Sequence, residues 1–205
     1  LGRSIKVISL DGDALRKASH PGQGLDYAMN GSNLPWVIEN IKENHPELFI
    51  AWLNHVKVGL PEIKDIVICP VPDLNQRYIQ IQYKNGTPIP SWLISDGTLR
   101  FLALTVLAYL PNDHGLYLIE EPENGVHPKI LETVYQSLSS VYDTQIMLAT
   151  HSPIFLTISG EKDLLIFKKD QYGSTAVSTS KEHPYLKDWS HKIDLGTIFA
   201  SGVLG

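Results

Sequence analysis

The chain has 205 residues, 43% of them hydrophobic and 19% charged, with a net charge of -5. That is enough apolar material to bury a core, too little chain for two ordinary domains, and it excludes disorder over most of the length. The mild acidity also excludes a surface coated in Lys and Arg for tight nucleic-acid binding. Cys69 is the sole cysteine, so an internal disulfide framework and a cysteine-based zinc cluster are ruled out, and a reducing cytoplasm is the expected setting. The longest apolar stretch, residues 101–110, is far shorter than the ~20 residues of a membrane span. No signal peptide is visible, and no membrane partner is expected.

In chain order, the segment ending IKVISL reads as a strand of mixed polarity, followed by a loop rich in Gly, Asp, Ser and Asn over 11–33 with a helical turn near 14–18. Ser32 or Asn33 then caps a helix with Pro35 in its first turn, carrying Trp36, Val37, Ile38 and Ile41 inward. Pro46 opens a second helix to about Val58, with Leu48, Trp52, Leu53 and Val56 on one face. Two β-like runs follow at 66–71 and 78–83, and Asn85-Gly86 makes a turn after the second.

The second half is more regular. Residues 96–110 predict an apolar helix, 116–119 a short buried strand, and 128–142 an amphipathic helix. Residues 145–149 predict another buried strand and 163–167 a third. Short apolar strands alternating with helices predict an α/β fold with a central, mostly parallel sheet flanked by helices.

Chemistry concentrates in three segments: Ser95-Asp96-Gly97-Thr98, then LYLIEEPENGVHP from Leu116 to Pro128, then Ala149-Thr150-His151-Ser152-Pro153. Ligands of open parallel sheets gather at the carboxyl ends of the strands. A strand ending there in Glu120 and Glu121 suits a magnesium ion and an oriented water. Adjacent strand residues face opposite ways, so the two carboxylates should differ in role. A lone Glu-Glu pair would read as a solvated acidic turn, and a lone His151 as a structural histidine; the context is what alters both readings. An imidazole at a strand end can donate to a phosphate oxygen or to water. Ser95 or Asp96 caps the long apolar helix, whose free N–H groups and dipole favour an anion.

In order and spacing the set resembles the C-terminal lobe of a P-loop ABC-type ATPase head of the RecF/SMC kind, especially bacterial AAA-type ATPases related to OLD proteins. The resemblance covers about 90–167 well and the first ninety residues loosely. It implies a lobe-completing or arm-proximal segment over 1–90 and an ATPase lobe over 91–205. It assigns Ser95, Asp96, Gly97 and Thr98 to the signature motif that meets the ATP of the opposite subunit. Glu120 matches the acidic magnesium-side position of Walker B, through water, and Glu121 the catalytic glutamate. Asn124 and His127 fall in the D-loop-like segment, and His151 matches the switch histidine. ATP and Mg are the implied cofactors. A homodimer or higher oligomer through the heads is the implied assembly, with a partner nuclease or effector protein and DNA as further partners.

The sequence also departs from that pattern. Glu120 replaces the more usual Asp, and His127 stands where the D-loop Asp would lie. No GxxxxGK[ST] occurs anywhere in the chain, and Gly22-Gln23-Gly24 is no substitute. Because the chain starts at Leu1 rather than Met, an upstream segment or another polypeptide is expected to supply the phosphate cradle. Two functions follow. One is an ATPase that dimerises head to head on ATP and couples hydrolysis to a DNA-related or phage-defence activity, the isolated chain being inactive. The other is a non-hydrolysing ATPase-like scaffold that regulates a partner such as a nuclease. Trp36 and Trp52 read as packing, Arg100 as facing the subunit interface or solvent, and the closing 194–205 stretch has no assigned task.

Overall fold

The computed structural model describes residues 4–111, 115–141, 144–159, 164–169, 172–186 and 194–202. Residues 1–150 form one compact unit and 151–205 a second. The first opens with strand β1 (Ser4–Ile8) and helix α1 (Gly12–Arg16), whose first N–H groups bond to Asp11 Oδ1. Helices α2 (Leu34–Asn44) and α3 (Pro46–Gly59) follow, each with Pro in its first turn, where a missing N–H costs nothing. Strands β2 (Ile63–Val71), β3 (Gln76–Tyr83) and β4 (Ile89–Pro90) then form an antiparallel sheet, with β3 in the middle. Helix α4 (Asp96–Thr105), strand β5 (Gly115–Glu120), helix α5 (Leu131–Ser139) and strand β6 (Gln145–Ala149) complete the unit.

Strands β1, β5 and β6 make a parallel sheet in that order, so the first strand of the chain pairs with the strand that carries Glu120. This is the expected α/β arrangement, a parallel sheet with helices beside it. Its two faces differ sharply. Ile8, Tyr117 and Ile119 are buried on one, whereas Ile5 is 67% exposed, Val7 47% and Met147 40% on the other. Leu116 and Leu118 are half-buried beside them, and Glu120 ends that face at its carboxyl edge. The strands at 116–119 and 145–149 are therefore half-exposed rather than buried, because apolar side chains line both faces while only one is fully covered.

The core of this unit is built from the helices together with β2 and β3. Trp52, Phe101, Leu102, Ile38, Ile66 and Ile81 are fully buried, and Trp52 Nε1–H donates to Thr105 Oγ1 at 3.1 Å. Thr105 in turn donates to the Phe101 carbonyl at 2.8 Å, which satisfies a hydroxyl deep in the core. Tyr27 donates to the Ala103 carbonyl at 2.8 Å, and complete burial raises its phenol above the ordinary range. Trp36 is half-buried under the Arg77 guanidinium, 4.7 Å from the ring centre, and Arg77 is itself paired with Glu39 at 3.0 Å.

Asn33 occupies the N-cap position of α2 but makes no side-chain cap bond. Its amide accepts from the Ala28 N–H and donates to the Gly24 and Asp26 carbonyls, closing the loop before the helix. The apolar helix expected over 96–110 is α-helical to Thr105 and tightens to a 3-10 turn at Val106–Tyr109. That expected over 128–142 begins as a 3-10 turn, Pro128–Ile130, before α5; Tyr142 lies outside the described residues.

The second unit contains helix α6 (Pro153–Ser159), strands β7 (Leu165–Lys169) and β8 (Thr175–Thr179), and helix α7 (Leu195–Ala200). The strand expected over 163–167 is β7, antiparallel to β8 and outside the parallel sheet, with only Ile166 buried. β8 follows β7 within a few residues, a spacing that an antiparallel ladder allows and a parallel one does not. Asp163 and residues 203–205 lie outside the described residues. Leu156, Ile166, Leu186 and Leu195 form the core of this unit.

Two outcomes follow. Trp52→Ala should lower unfolding free energy by about 3–5 kcal/mol in urea denaturation, since a large, fully enclosed ring is lost. Asp194 caps α7 by accepting from Thr197 Oγ1–H and N–H, and these bonds, with one from Thr157, hold its carboxyl down to about 2. Its folded value lies below its unfolded one, so the cap's contribution is present above pH ~3.8 and is lost as pH falls toward 2. The Thr197 amide resonance should titrate in that window and stay fixed in Asp194→Asn.

Candidate functional site

The site begins where α4 starts. Ser95 has extended backbone angles, and its Oγ accepts from the Thr98 N–H at 3.2 Å while lying 2.7 Å from Thr98 Oγ1. This is an N-cap that leaves the remaining first-turn N–H groups available. One turn on, Arg100 Nε–H donates to Asp96 Oδ2 at 2.7 Å. Arg100 is three-quarters buried in this pair, which sets aside the solvent half of the expected interface-or-solvent placement. Asp96 also lies against Gly12 of α1, where an added Cβ would collide with its carboxylate.

Gly97 makes the decisive contact. A Cβ there would run into the carbonyl oxygen of Gly125, so the helix start and the loop after β5 touch through backbone alone. Gly125 has φ +73, the left-handed region that favours glycine, and its Cα faces Arg100 and Asp96. Two glycines thus let the Ser95–Thr98 segment and the 121–127 loop pack at backbone distance.

Glu120, the last residue of β5, is exposed, and among the described residues nothing hydrogen-bonds its carboxylate. Glu121 leaves the strand with φ +44, an uncommon conformation for a residue with a β-carbon. Its N–H donates to the Ala149 carbonyl of β6 at 2.7 Å, and its Oε2 accepts from Asn124 Nδ2. The two carboxylates therefore have different surroundings: one open on the uncovered sheet face, one oriented by a neighbouring amide. His127 Nδ1 accepts from the Lys129 N–H at 3.2 Å, which in the neutral ring leaves the proton on Nε2.

Ser95, Gly97 and Thr98 on one side and Gly125, His127 and Lys129 on the other line a cleft of about 540 Å³. Leu60, Val126 and Ile130 make much of its lining apolar; its polar groups are a helix N-terminus, two hydroxyls, an imidazole and the Lys129 side chain, with no carboxylate. In a chain of net charge -5 that is a local preference for anions. The structure thus brings the four-residue segment and His127 together. Glu120 at the end of β5, and Glu121 and Asn124 on the loop after it, do not line the cleft. His151 belongs to the second unit, where it is exposed with its ring centre 6.4 Å from that of Phe199. Among the described residues no three His, Cys, Asp or Glu side chains gather to hold a metal ion.

Residues that sequence reasoning passed over are Lys129, Glu123 and Gly12. Lys129 follows a Pro in an exposed turn and carries no pattern of its own. Glu123 accepts from Thr150 Oγ1–H at 2.5 Å, a pairing of residues 27 apart that no local spacing announces. Gly12 is needed only because Asp96 comes to lie upon it.

A family described as "AAA domain, putative AbiEii toxin, Type IV TA system" matches residues 14–157. The chain belongs to this AAA-domain family. A protein named "Retron Vc95 probable ATPase" from Vibrio cholerae serotype O1 biovar El Tor is 27% identical over 148 residues, 66% of this chain and 28% of the relative. An "OLD nuclease" from Thermus scotoductus is 35% identical over 71 residues, 33% of this chain and 13% of that protein. The chain thus spans less than a third of the length of either relative. An ATPase-type AAA domain accounts for the parallel sheet and for acids at a strand's carboxyl end, and among the described residues no helix is long and apolar enough to cross a membrane.

The glycine contact is directly testable. Gly97→Ala should cost about 1–3 kcal/mol in unfolding free energy, because the atom it meets is backbone that cannot turn aside. Gly86→Ala, with nothing within 4 Å, should change stability by less than about 0.5 kcal/mol.

Proposed function

We propose that this chain is the signature- and Walker B-bearing part of an ATP-hydrolysing head of the ABC type, similar to RecF/SMC and OLD-related ATPases, which closes as a dimer on ATP. The observation that carries this reading is the backbone contact of Gly97 with Gly125. It joins the Ser95–Thr98 segment and the loop that starts at Glu121 into one block beside an anion-favouring cleft. In the proposal that cleft receives the terminal phosphate of a nucleotide held by the opposite copy, with Ser95, Thr98 and the free N–H groups as donors and His127 in its lining, and Asn124, outside the lining, belongs to the D-loop-like segment.

Glu121 is assigned the base. Its carboxylate is oriented by Asn124 and takes a proton from water as the water attacks phosphorus; the bond to the leaving phosphate oxygen breaks in the same displacement. His151 is assigned the switch role toward the terminal phosphate. Mg, when bound, supplies charge neutralisation of the phosphates, and Glu120 is the residue here that would hold it. One free carboxylate at a strand end suits an ion that keeps waters and phosphate oxygens as its other ligands. The parallel sheet's exposed face, with Ile5, Val7 and Met147, supports a further part of this reading. Parallel sheets are ordinarily covered on both faces, and the phosphate-cradling element absent from these 205 residues is proposed to cover this one.

The relatives' names, one a retron ATPase and one an OLD nuclease, support a phage-defence setting in which the head works on a partner nuclease or on DNA. The absence of GxxxxGK[ST] favours the second reading, a non-hydrolysing scaffold that regulates such a partner. Turnover separates the two. In the complete protein, Glu121→Gln should keep nucleotide affinity while losing on the order of 10²–10⁴-fold in hydrolysis, as expected for loss of a general base. Glu120→Gln should instead weaken Mg-dependent binding. Equal behaviour of the two variants, in binding by fluorescent ATP analogue and in phosphate release, would remove the division of roles.

A further inference from the structure

The 121–127 loop is tied to the end of β6 at two points. The Glu121 N–H donates to the Ala149 carbonyl at 2.7 Å, and Thr150 Oγ1–H donates to Glu123 Oε1 at 2.5 Å. Between these ties Glu121 sits at φ +44 and Asn124 reaches back to its carboxylate. Among the described residues its remaining backbone bonds, Asn124 N–H to the Glu121 carbonyl and Val126 N–H to the Glu123 carbonyl, are internal to the loop, which also packs through buried Pro122 and Val126 and through Gly125 against Gly97. The second oxygen of Glu123, Oε2, is buried with no hydrogen-bond partner among the described residues. A carboxylate that leaves one oxygen unsatisfied is a costly way to fill space. Its cost is understandable if the other oxygen performs a geometric task.

We infer that Glu123 is a positioning residue for the hydrolytic reaction: through its bond to Thr150 it fixes the turn that aims the Glu121 carboxylate. This rests on the reading of Glu121 as the base. The physical argument is that a β-carbon residue in the left-handed region returns to ordinary angles when the chain around it is released. Without the Thr150–Glu123 tie, the packing of Pro122, Gly125 and Val126 and the internal bonds remain, and the Ala149 bond is the hydrogen bond left holding Glu121 itself to β6. A general base must lie within hydrogen-bond reach of the water it deprotonates, and small displacements are expensive in rate. Glu123 needs only an acceptor oxygen for this task, so its charge is dispensable. That separates it from Glu121, for which the carboxylate is essential.

The test uses the complete protein, with steady-state ATP hydrolysis and amide hydrogen exchange at Glu121 and Asn124. Glu123→Ala and Thr150→Val should each lower kcat by about tenfold or more with KM within about twofold. The double variant should be no slower than the slower single one, since both remove the same bond. Glu123→Gln and Thr150→Ser, which retain acceptor and donor, should stay within about threefold of the parent. Exchange at Glu121 should accelerate in the Ala and Val variants alone. If Glu123→Gln is as slow as Glu121→Gln, the carboxylate does proton chemistry and positioning is wrong. If Glu123→Ala leaves either kcat or the Glu121 exchange unchanged, the tie does not aim the base. Parent-like hydrolysis by Glu121→Gln would instead overturn the assignment of the base, while the exchange rates still report whether Glu123 holds the turn.

Discussion

The site depends on one steric constraint, the approach of Gly97 to the carbonyl of Gly125. A helix start and a strand-end loop can touch at backbone distance only where both side chains are absent. Beside that contact lie the cap at Ser95, the Asp96–Arg100 pair and the cleft between Thr98 and His127. A change at the start of α4 is therefore felt at the loop following Glu121. In the proposed dimer such a block carries phosphate donors toward the partner copy's nucleotide and the Glu121 base toward its own, so one body links the two sites.

The loop itself is built from strained and satisfied parts in balance. Glu121 pays for its left-handed angles with a bond to Ala149 and a partner in Asn124. Strain of this kind persists only where the surroundings over-determine it, and it concentrates at functional sites. Glu120, one residue earlier, stays in regular strand geometry on the exposed sheet face. Adjacent acids thus acquire separate environments from a single turn of the backbone, and the division of labour proposed for them has a structural basis.

Much of this was legible in the sequence. Periodicity located α2, α3, α4, α5, β5 and β6 within a few residues, since apolar spacing reports the buried stripe directly. The pairing of β1 beside β5 was not legible, because parallel partners are distant in sequence and carry no turn signal. Nor was the antiparallel fate of β7, whose Leu165 and Phe167 are exposed and so mimic a core strand only in composition. At the site, Ser95–Thr98, Glu120, Glu121 and His151 stood out as residue types at strand and helix ends, and Asn124 and His127 only through the family resemblance. The Arg100–Asp96 pair, the Glu123–Thr150 bond and the need for Gly12 did not. Each depends on tertiary neighbours that residue spacing does not encode.

The central claim is that the Ser95 segment acts on a nucleotide held by another copy of the protein. Sedimentation of the complete protein carrying Ser95→Arg, with and without ATP, tests it most directly. The added side chain would crowd the phosphate position while leaving every contact to the copy's own nucleotide intact. The account expects a folded monomer that binds ATP at one site and no longer dimerises on it. An ATP-dependent dimer undiminished from that of the parent protein would contradict the account and leave Ser95 as a helix cap, worth about 1 kcal/mol.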